Sequence, residues 1–279
     1  MKKVALINDL SGLGRCSLTA AIPVISAMGI QACPLPTAIL TAQTGFEDYY
    51  CDDYTDRMDQ FTEKWALTGE RFDGIYSGYL ASHKQMEKVK AFLEKFHRPG
   101  CLYLADPVLG DNGEKIKIFT DELLDCMRSL VHSADVVTPN LTELCLLTEK
   151  DYSDLVSHSG DPDYEERILD LGRELASRAE RDQMVVITGI QQGETIGNMA
   201  VWGGGEIFLK SPYNGKSYSG TGDLFASVLC GCLLRQIPVR EAVYKAMVFL
   251  QAAIEDASAE NEDPIYGIPF EDHLHLLID

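Results

Sequence analysis

The sequence predicts an α/β fold, with a mainly parallel sheet covered by helices on both faces. Three observations carry this expectation. Short β-prone runs recur as "KVALI" (3–7), "FDGIYSG" (72–78), "CLYLADP" (101–107), "ADVVTPN" (134–140) and "MVVITG" (184–189). Stretches with helical apolar spacing separate them, over 83–97, 120–132 and 164–178. The strand runs are apolar on both faces, as strands buried from both sides require. Such strands alternating with amphipathic helices mark βαβ units.

Taken in order, "KVALI" leads into "SGLGRCS" (11–17), which reads as a tight turn before a helix from about Ser17. That segment has only two glycines of a GxGxxG fingerprint, which weighs against a nicotinamide-dependent oxidoreductase. The acidic segments 46–59 ("FEDYYCDDYTDRMD") and 160–167 ("GDPDYEER") read as solvated faces. The tyrosines in 46–59 leave open a mobile cover or a dimer arm. "GNMAVWGGGEIFLKSP" (197–212) reads as an antiparallel hairpin around a triple glycine at a sheet edge. Two helices follow, at 223–235 and 239–257. With no internal repeat, low-complexity tract or linker, one domain over 1–279 is expected.

Composition narrows the partners. At 46% hydrophobic residues the chain can bury a full core, and its formal net charge of −19 weighs against nucleic acid or anionic membrane as a partner. No run approaches the ~18 apolar residues of a membrane span, and "MKKVALINDL" is too weakly apolar for a signal-peptide core. The eight cysteines form no CxxC pair and sit mostly in apolar runs, which reads as reduced thiols in a cytoplasmic protein.

Ligands of open parallel sheets bind at the carboxyl ends of the strands. There the sequence places Asn8-Asp9, Asp106 and Asp111, Thr138 and Asn140, and Thr188. In "SYSGTGDLFAS" (217–227), Gly220 and Gly222 allow successive amides to point inward as an anion nest at a helix start. Asp223 then has two readings: a helix cap, or a base that takes the proton of a hydroxyl attacking phosphorus. "DPVLGDNG" (106–113) offers Asp106 and Asp111 as loop carboxylates for magnesium. In "TPNLTEL" (138–144), Asn140 and Glu143 have capping-box spacing, and Glu143 would reach a metal's water shell if that helix end faces phosphates. Lys216, seven residues before Asp223, is a candidate to lean over a nucleotide, whereas Lys115, Lys117 and His83 read as surface residues. A Walker A loop is absent.

Together these motifs, with "NDLSGLG", "TAILTAQTGF" (37–46), "SGYLAS" (77–82) and "VVITG", resemble the ribokinase superfamily of small-molecule kinases, and most of all its pyridoxal kinase branch. The resemblance implies a three-layer α/β/α sandwich, a homodimer, and ATP used with Mg2+ and a monovalent cation such as K+. It implies Asp223 as catalytic base and the amides of Gly220, Thr221 and Gly222 as anion hole. Asp106 and Glu143 would lie by the magnesium–triphosphate, Asp111, Asn140 and Thr188 near the nucleotide phosphates, and Ser11, Thr37 and Tyr79 around the pyridine ring. The implied reaction is ATP-dependent phosphorylation of the hydroxymethyl group of pyridoxal, pyridoxine or pyridoxamine.

The chain departs from that branch in places. Ala42-Gln43-Thr44 stands where pyridoxal kinases commonly have Asn-His-Thr, and is closer to the hydroxymethylpyrimidine kinases of thiamin synthesis. Those enzymes usually carry cysteine at the position of Asp223. An aromatic common after the DPVxGD loop gives way to "KIKIF" (115–119). A hydroxymethylpyrimidine kinase, or another small-alcohol kinase, is therefore the alternative. A catalytically silent vitamin-binding protein is disfavoured by the intact Asp223, Asp106 and Glu143.

Overall fold

The computed structural model describes residues 1–278. In chain order the elements are β1 (Lys3–Leu13), α1 (Ser17–Ala27), β2 (Gln31–Ala42), β3 (Cys51–Asp53), α2 (Thr55–Leu67), β4 (Gly74–Ser77), α3 (His83–Phe96), β5 (Leu102–Ala105), β6 (Gly110–Asp111), β7 (Glu114–Lys115) and α4 (Asp121–Ser133). They continue as β8 (Val136–Val137), α5 (Leu141–Thr148), α6 (Tyr152–Ser157), α7 (Tyr164–Ser177), β9 (Met184–Gln192), β10 (Thr195–Trp202), β11 (Gly205–Pro212), α8 (Thr221–Leu234) and α9 (Val239–Ala259). The contacts group the chain into two compact units, the first made of 1–80, 87–103 and 214–279 and the second of 81–86 and 104–213.

In the first unit, β1 lies between β2 and β4 and is parallel to both, while β3 pairs antiparallel to β2. Val4, Ala5, Leu6 and Ile7 of β1 are all buried, so both faces of the strand are covered. Helix α1 packs on β1 and β2 and against α8, and α8 packs in turn on α9. The aromatic rings of Trp65, Phe72, Phe92 and Phe96 join α2 to α3. Helix α8 is buried from Leu224 through Cys232, which explains why "LFASVLCGC" carries no polar face.

The first strand runs six residues beyond "KVALI". Pairing with β2 resumes after a register shift, with Asn8 opposite Pro36 and Leu10 opposite Ile39, and ends at Leu13 opposite Ala42. Ser11–Leu13 is therefore strand, not turn, and the turn falls at Gly14, whose φ is 103°. The acidic segment 46–59 contributes β3 and the start of α2. Asp53 there accepts hydrogen bonds from the Thr55 amide at 2.8 Å and the Thr55 hydroxyl at 2.5 Å, which secures the beginning of that helix.

In the second unit, β5, β8 and β9 run parallel, and β10 and β11 extend the sheet antiparallel in the order β11-β10-β9-β8-β5. Strands β10 and β11 form the expected hairpin at the sheet edge, with Trp202 opposite Gly205 across the glycine turn. Helix α7 packs on β9 and β10, and α5 on β9. The loop expected at 106–113 contains a further small hairpin, β6–β7, whose turn residues Asn112 and Gly113 have φ of 51° and 81°. Asn-Gly with positive φ at both positions is the preferred chemistry of a two-residue hairpin turn. Among the described residues no helix is long and apolar enough to cross a membrane.

Candidate active site

In the first unit the candidate site is built on the start of α8. Gly220 precedes the helix with a φ of 77°. A Cβ there would lie 2.0 Å from the Arg15 carbonyl oxygen and 2.9 Å from the Cys16 Cα, so only glycine satisfies both the backbone and the approach. Gly222 differs, since a Cβ built on it would meet nothing within 4 Å. The Leu224 amide makes the helix-opening bond to the Gly220 carbonyl at 3.0 Å. The Thr221, Gly222 and Asp223 amides precede it as first-turn donors, and the Cβ position of Gly222 faces open space. The Thr221 hydroxyl donates to the Tyr218 carbonyl at 3.1 Å, which holds this turn in place.

Asp223 does not cap the helix. Gly220 is the N-cap, Asp223 is the third helical residue, and no side chain closes the cap. Its carboxylate points away from the helix. Oδ1 accepts from Asn8 Nδ2 at 3.1 Å, and the Ser17 backbone N–H also donates to the group. Desolvation lifts its pKa from 3.8 to about 6; the Ser17 amide opposes that rise, the charge of Asp9 adds to it, and Asn8 opposes it. A carboxylate tuned to this range is ionised at neutral pH yet basic enough to receive a proton.

The surrounding network brings several sequence candidates together. Asp9 is buried and accepts from the Ser11 hydroxyl at 2.8 Å and the Ser17 hydroxyl at 2.7 Å. Asn8 Oδ1 accepts from the amides of Asp9 and Tyr79, both at 3.0 Å. Ser11, Tyr79 and Asp223 are thus joined through Asn8 and Asp9. Burial, reinforced by Asp9, pushes the Tyr79 phenol up to about 12, so it stays a neutral donor. Cys16, beside Asp223 and Asp9, is also pushed up to about 12, chiefly by burial, and remains a thiol. Thr37 is buried in β2 at the register shift opposite Asp9. Lys216 is only partly covered, and its backbone N–H donates to Asn214 Oδ1 at 3.0 Å. In the sequence Asn8 and Asp9 carry no motif of their own; the only signal for them is an adjacent Asn-Asp directly after the apolar run "KVALI".

Segment 263–267 supports this arrangement from behind. Its carbonyls accept from the Ser219 amide through Pro264 and from the Arg15 amide through Tyr266, both at 3.0 Å. Gln43 Nε2 donates to the Ile265 carbonyl at 2.9 Å, while Gln43 Oε1 accepts from the Gly45 amide at 2.7 Å. The rings of Phe46 and Tyr266 meet edge to face with centroids 5.1 Å apart.

In the second unit the remaining candidates gather where α5 begins. Asn140 and Glu143 form a full capping box: Asn140 Oδ1 accepts from the Glu143 amide at 3.0 Å, and Glu143 Oε2 accepts from the Asn140 amide at 2.8 Å. Glu143 Oε1 accepts from the Leu109 amide at 3.0 Å, which tethers the 106–113 loop. Asn140 Nδ2 reaches the Gly110 carbonyl at 2.8 Å. Asp106 is buried and accepts from the Thr138 hydroxyl at 2.8 Å. Thr188 pairs with Asn140 in an isolated parallel bridge, its amide donating to Pro139 at 2.9 Å. Asp111 is exposed at the β6–β7 hairpin, where its carboxylate accepts from the Asn112 amide at 2.9 Å.

Burial, then the charge of Asp106, holds the Glu143 carboxyl well above its usual range. Among the described residues no group of three or more His, Cys, Asp and Glu is arranged to hold a metal. Magnesium commonly takes one or two carboxylates and completes its shell with water and phosphate oxygens. Two acidic groups in mutual repulsion, one of them deeply desolvated, have the donor chemistry for that kind of binding.

Two substitutions test this geometry. Gly220→Ala forces a Cβ against Arg15 in a left-handed backbone, and denaturant melts are expected to show a loss of about 2 kcal/mol or more. Unchanged stability would mean that the Arg15 carbonyl shifts without cost to admit a Cβ placed 2.0 Å from it. Glu143→Ala removes the reciprocal cap and leaves the Leu109 amide unpaired, with an expected cost of about 1–3 kcal/mol by the same measurement.

Comparison with known proteins gives this geometry its context. A family model described as phosphomethylpyrimidine kinase matches residues 14–265. A pyridoxal kinase of Deinococcus radiodurans is 27% identical over 196 residues, spanning 66% of this chain and 61% of that protein, under two thirds of its length. Two crystal structures from Bacteroides thetaiotaomicron, each assigned as a phosphomethylpyrimidine kinase, are 37% identical and cover 99% of this chain. Their TM-scores are 0.93 and 0.91, with 93% and 95% of their own chains covered, and the second crystal contains pyridoxal. The pyridoxal kinase structure from Lactobacillus plantarum is 28% identical, with a TM-score of 0.88 over 99% of this chain and 96% of its own. The architecture is ribokinase-like, as the sequence led us to expect. The chain belongs to the phosphomethylpyrimidine kinase family.

Proposed function

We propose that this protein is an ATP-dependent kinase that phosphorylates the hydroxymethyl group of pyridoxal, pyridoxine or pyridoxamine. The observation that carries the proposal is Asp223: an acid in the first turn of α8, freed from capping, whose pKa is lifted to about 6 beside the amides that follow Gly220. Support also comes from the Bacteroides relative crystallised with pyridoxal and from the Lactobacillus pyridoxal kinase.

In this reading the substrate hydroxyl oxygen forms a bond to the γ-phosphorus, the bond from that phosphorus to the bridging oxygen of ATP breaks, and Asp223 takes the hydroxyl proton. The amides of Gly220, Thr221 and Gly222 stabilise negative charge on the phosphoryl oxygens without reorganising. Asp9 holds the Ser11 and Ser17 hydroxyls, and Tyr79 presents a phenol that keeps its proton, so the substrate side offers neutral hydrogen-bonding groups. Asp106 and Glu143 would hold the magnesium that accompanies ATP, with Asp111, Asn140, Thr188 and Lys216 toward its phosphates. Bound there, magnesium would neutralise triphosphate charge.

The alternative is phosphorylation of hydroxymethylpyrimidine, favoured by the family match and by Ala42-Gln43-Thr44. A panel of pyridoxal, pyridoxine, pyridoxamine and hydroxymethylpyrimidine, read by coupled ADP release, separates the two. The expected result is preference for a pyridine alcohol; preference for the pyrimidine would replace the proposal with its alternative.

The pH dependence follows from the ionisation required of a base. Asp223 must be deprotonated, so kcat/KM is expected to fall as pH drops through about 6. Asp223→Asn should lower kcat by about 100- to 10,000-fold and leave the KM for ATP nearly unchanged. It should also raise Tm at neutral pH. The folded-state pKa of Asp223 lies above its ordinary value, so its ionisation costs stability as pH rises from about 4 to about 6, and asparagine escapes that cost. Near-normal turnover in this variant would remove Asp223 from the mechanism.

A further inference from the structure

We infer that Asn8 is a positioning residue, whose carboxamide fixes the orientation of the Asp223 carboxylate and couples it to the substrate-side backbone at Tyr79. This rests on the reading of Asp223 as the base.

The direction of the Asn8 amide is determined by its neighbours. One end meets two backbone donors, the Asp9 and Tyr79 amides at 3.0 Å each, and only an oxygen can accept from both. The NH2 end must then face Asp223, where it donates at 3.1 Å. Asn8 is buried, so no bulk water competes for these bonds. Its rotation is blocked by packing: the carboxamide fills the space that a side chain at residue 78 would occupy, with a Cβ on Gly78 falling 2.2 Å from Asn8 Nδ2. One side chain thereby connects three places: the register shift in the middle of β1, the Tyr79 amide after β4, and the first turn of α8.

The groups facing Asp223 come from β1 and from the start of α1. Asp9 contributes a negative charge from β1, Cys16 a neutral thiol before α1, and Ser17 its backbone N–H. Asn8 is the side-chain donor in that set. Exchanging its NH2 for an oxygen would turn an attraction into a repulsion without changing the size of the residue.

Asn8→Asp is therefore the informative variant. Its oxygen still accepts from the Asp9 and Tyr79 amides, while its second oxygen opposes Asp223. With the alcohol preferred in the substrate panel, the acid limb of kcat is expected to move upward by about one pH unit or more, because adjacent carboxylates resist joint ionisation. At pH 6.5 kcat should fall about 3-fold for a shift of one unit and about 25-fold for two, with the KM for ATP within about twofold of the parent. Asn8→Ala serves as a second arm. At pH 8.5, where Asp223 is ionised in either protein, its kcat should still be reduced about 10-fold or more, because orientation rather than charge has been lost.

A purely structural role for Asn8 would lower Tm in both variants and leave the acid limb where it was, and that result overturns the assignment. Parent-like turnover in Asn8→Asp alongside an inactive Asp223→Asn overturns the role of Asn8 alone. Near-normal turnover of Asp223→Asn removes the base itself, and the assignment of Asn8 with it.

Discussion

The hydrogen bond from Asn8 to Asp223 is the constraint around which the first unit is organised. A carboxylate withdrawn from water is costly unless donors replace the water it loses. Here the donors arrive from distant parts of the chain: a side chain on β1, 215 residues away, and the first amide of α1. For both to reach Asp223, the start of α8 must approach the Arg15–Cys16 backbone closely enough that residue 220 has no room for a side chain. Residue 78 must likewise make room for Asn8. Gly78 in "SGYLAS" and Gly220 in "SGTGD" both make room for the partners of one partly desolvated acid. Segment 263–267 ties the two approaching backbones together by accepting from the amides of Ser219 and Arg15.

A comparison within the molecule explains why the acid is available at all. Glu143 and Asp223 occupy the same helical position, third after the cap, in α5 and α8. In α5 the cap is Asn140, whose side chain binds the Glu143 amide while Glu143 reaches back to the Asn140 amide. The acid is thereby used by its own helix. In α8 the cap is Gly220, which has no side chain to reciprocate and turns the backbone into the left-handed region. Asp223 is also one methylene shorter than glutamate. Its carboxylate leaves the helix axis and finds Asn8 and Ser17 instead, while the first-turn amides keep their capacity for an anion. The amides and the carboxylate face different partners.

Much of the fold was legible because the periodicities are strong. The helices at 83–96, 121–133 and 164–177 and the glycine hairpin of β10 and β11 follow the sequence pattern closely. Strand β2 was hidden by Pro34 and Pro36, which ordinarily argue against a paired strand. They are tolerated because β3 pairs only with residues 38–40, leaving that side of β2 unpaired at the prolines. The β6–β7 hairpin was signalled by Asn112-Gly113, but its two-residue strands have no periodicity of their own. For the site, the motifs identified Asp223, Gly220, Asn140 and Glu143 correctly as residues of two helix starts. They could not say whether Asp223 caps or leaves its helix, because the direction of a carboxylate is decided by tertiary partners. The role of Asn8 was illegible for the same reason.

The structure also changes the weight of one sequence departure. Ala42-Gln43-Thr44 is closer to the pyrimidine kinases, with Gln43 at its centre. Its carboxamide is committed elsewhere: one end donates to Ile265, the other accepts from the Gly45 amide, and its Cγ lies where a side chain on Gly14 would fall. Those contacts orient Gln43 as an anchor for its loop on the segment that also steadies the Ser219–Gly220 turn. A residue whose orientation is fixed by backbone partners at both ends has little freedom to adapt to a ligand. The departure at 42–44 therefore speaks to how this loop is fastened more than to which ring it accepts. The chemistry at residue 223 then carries greater weight, because its carboxylate, held by Asn8 and raised toward neutrality by desolvation, is the group on which the proposed proton removal depends.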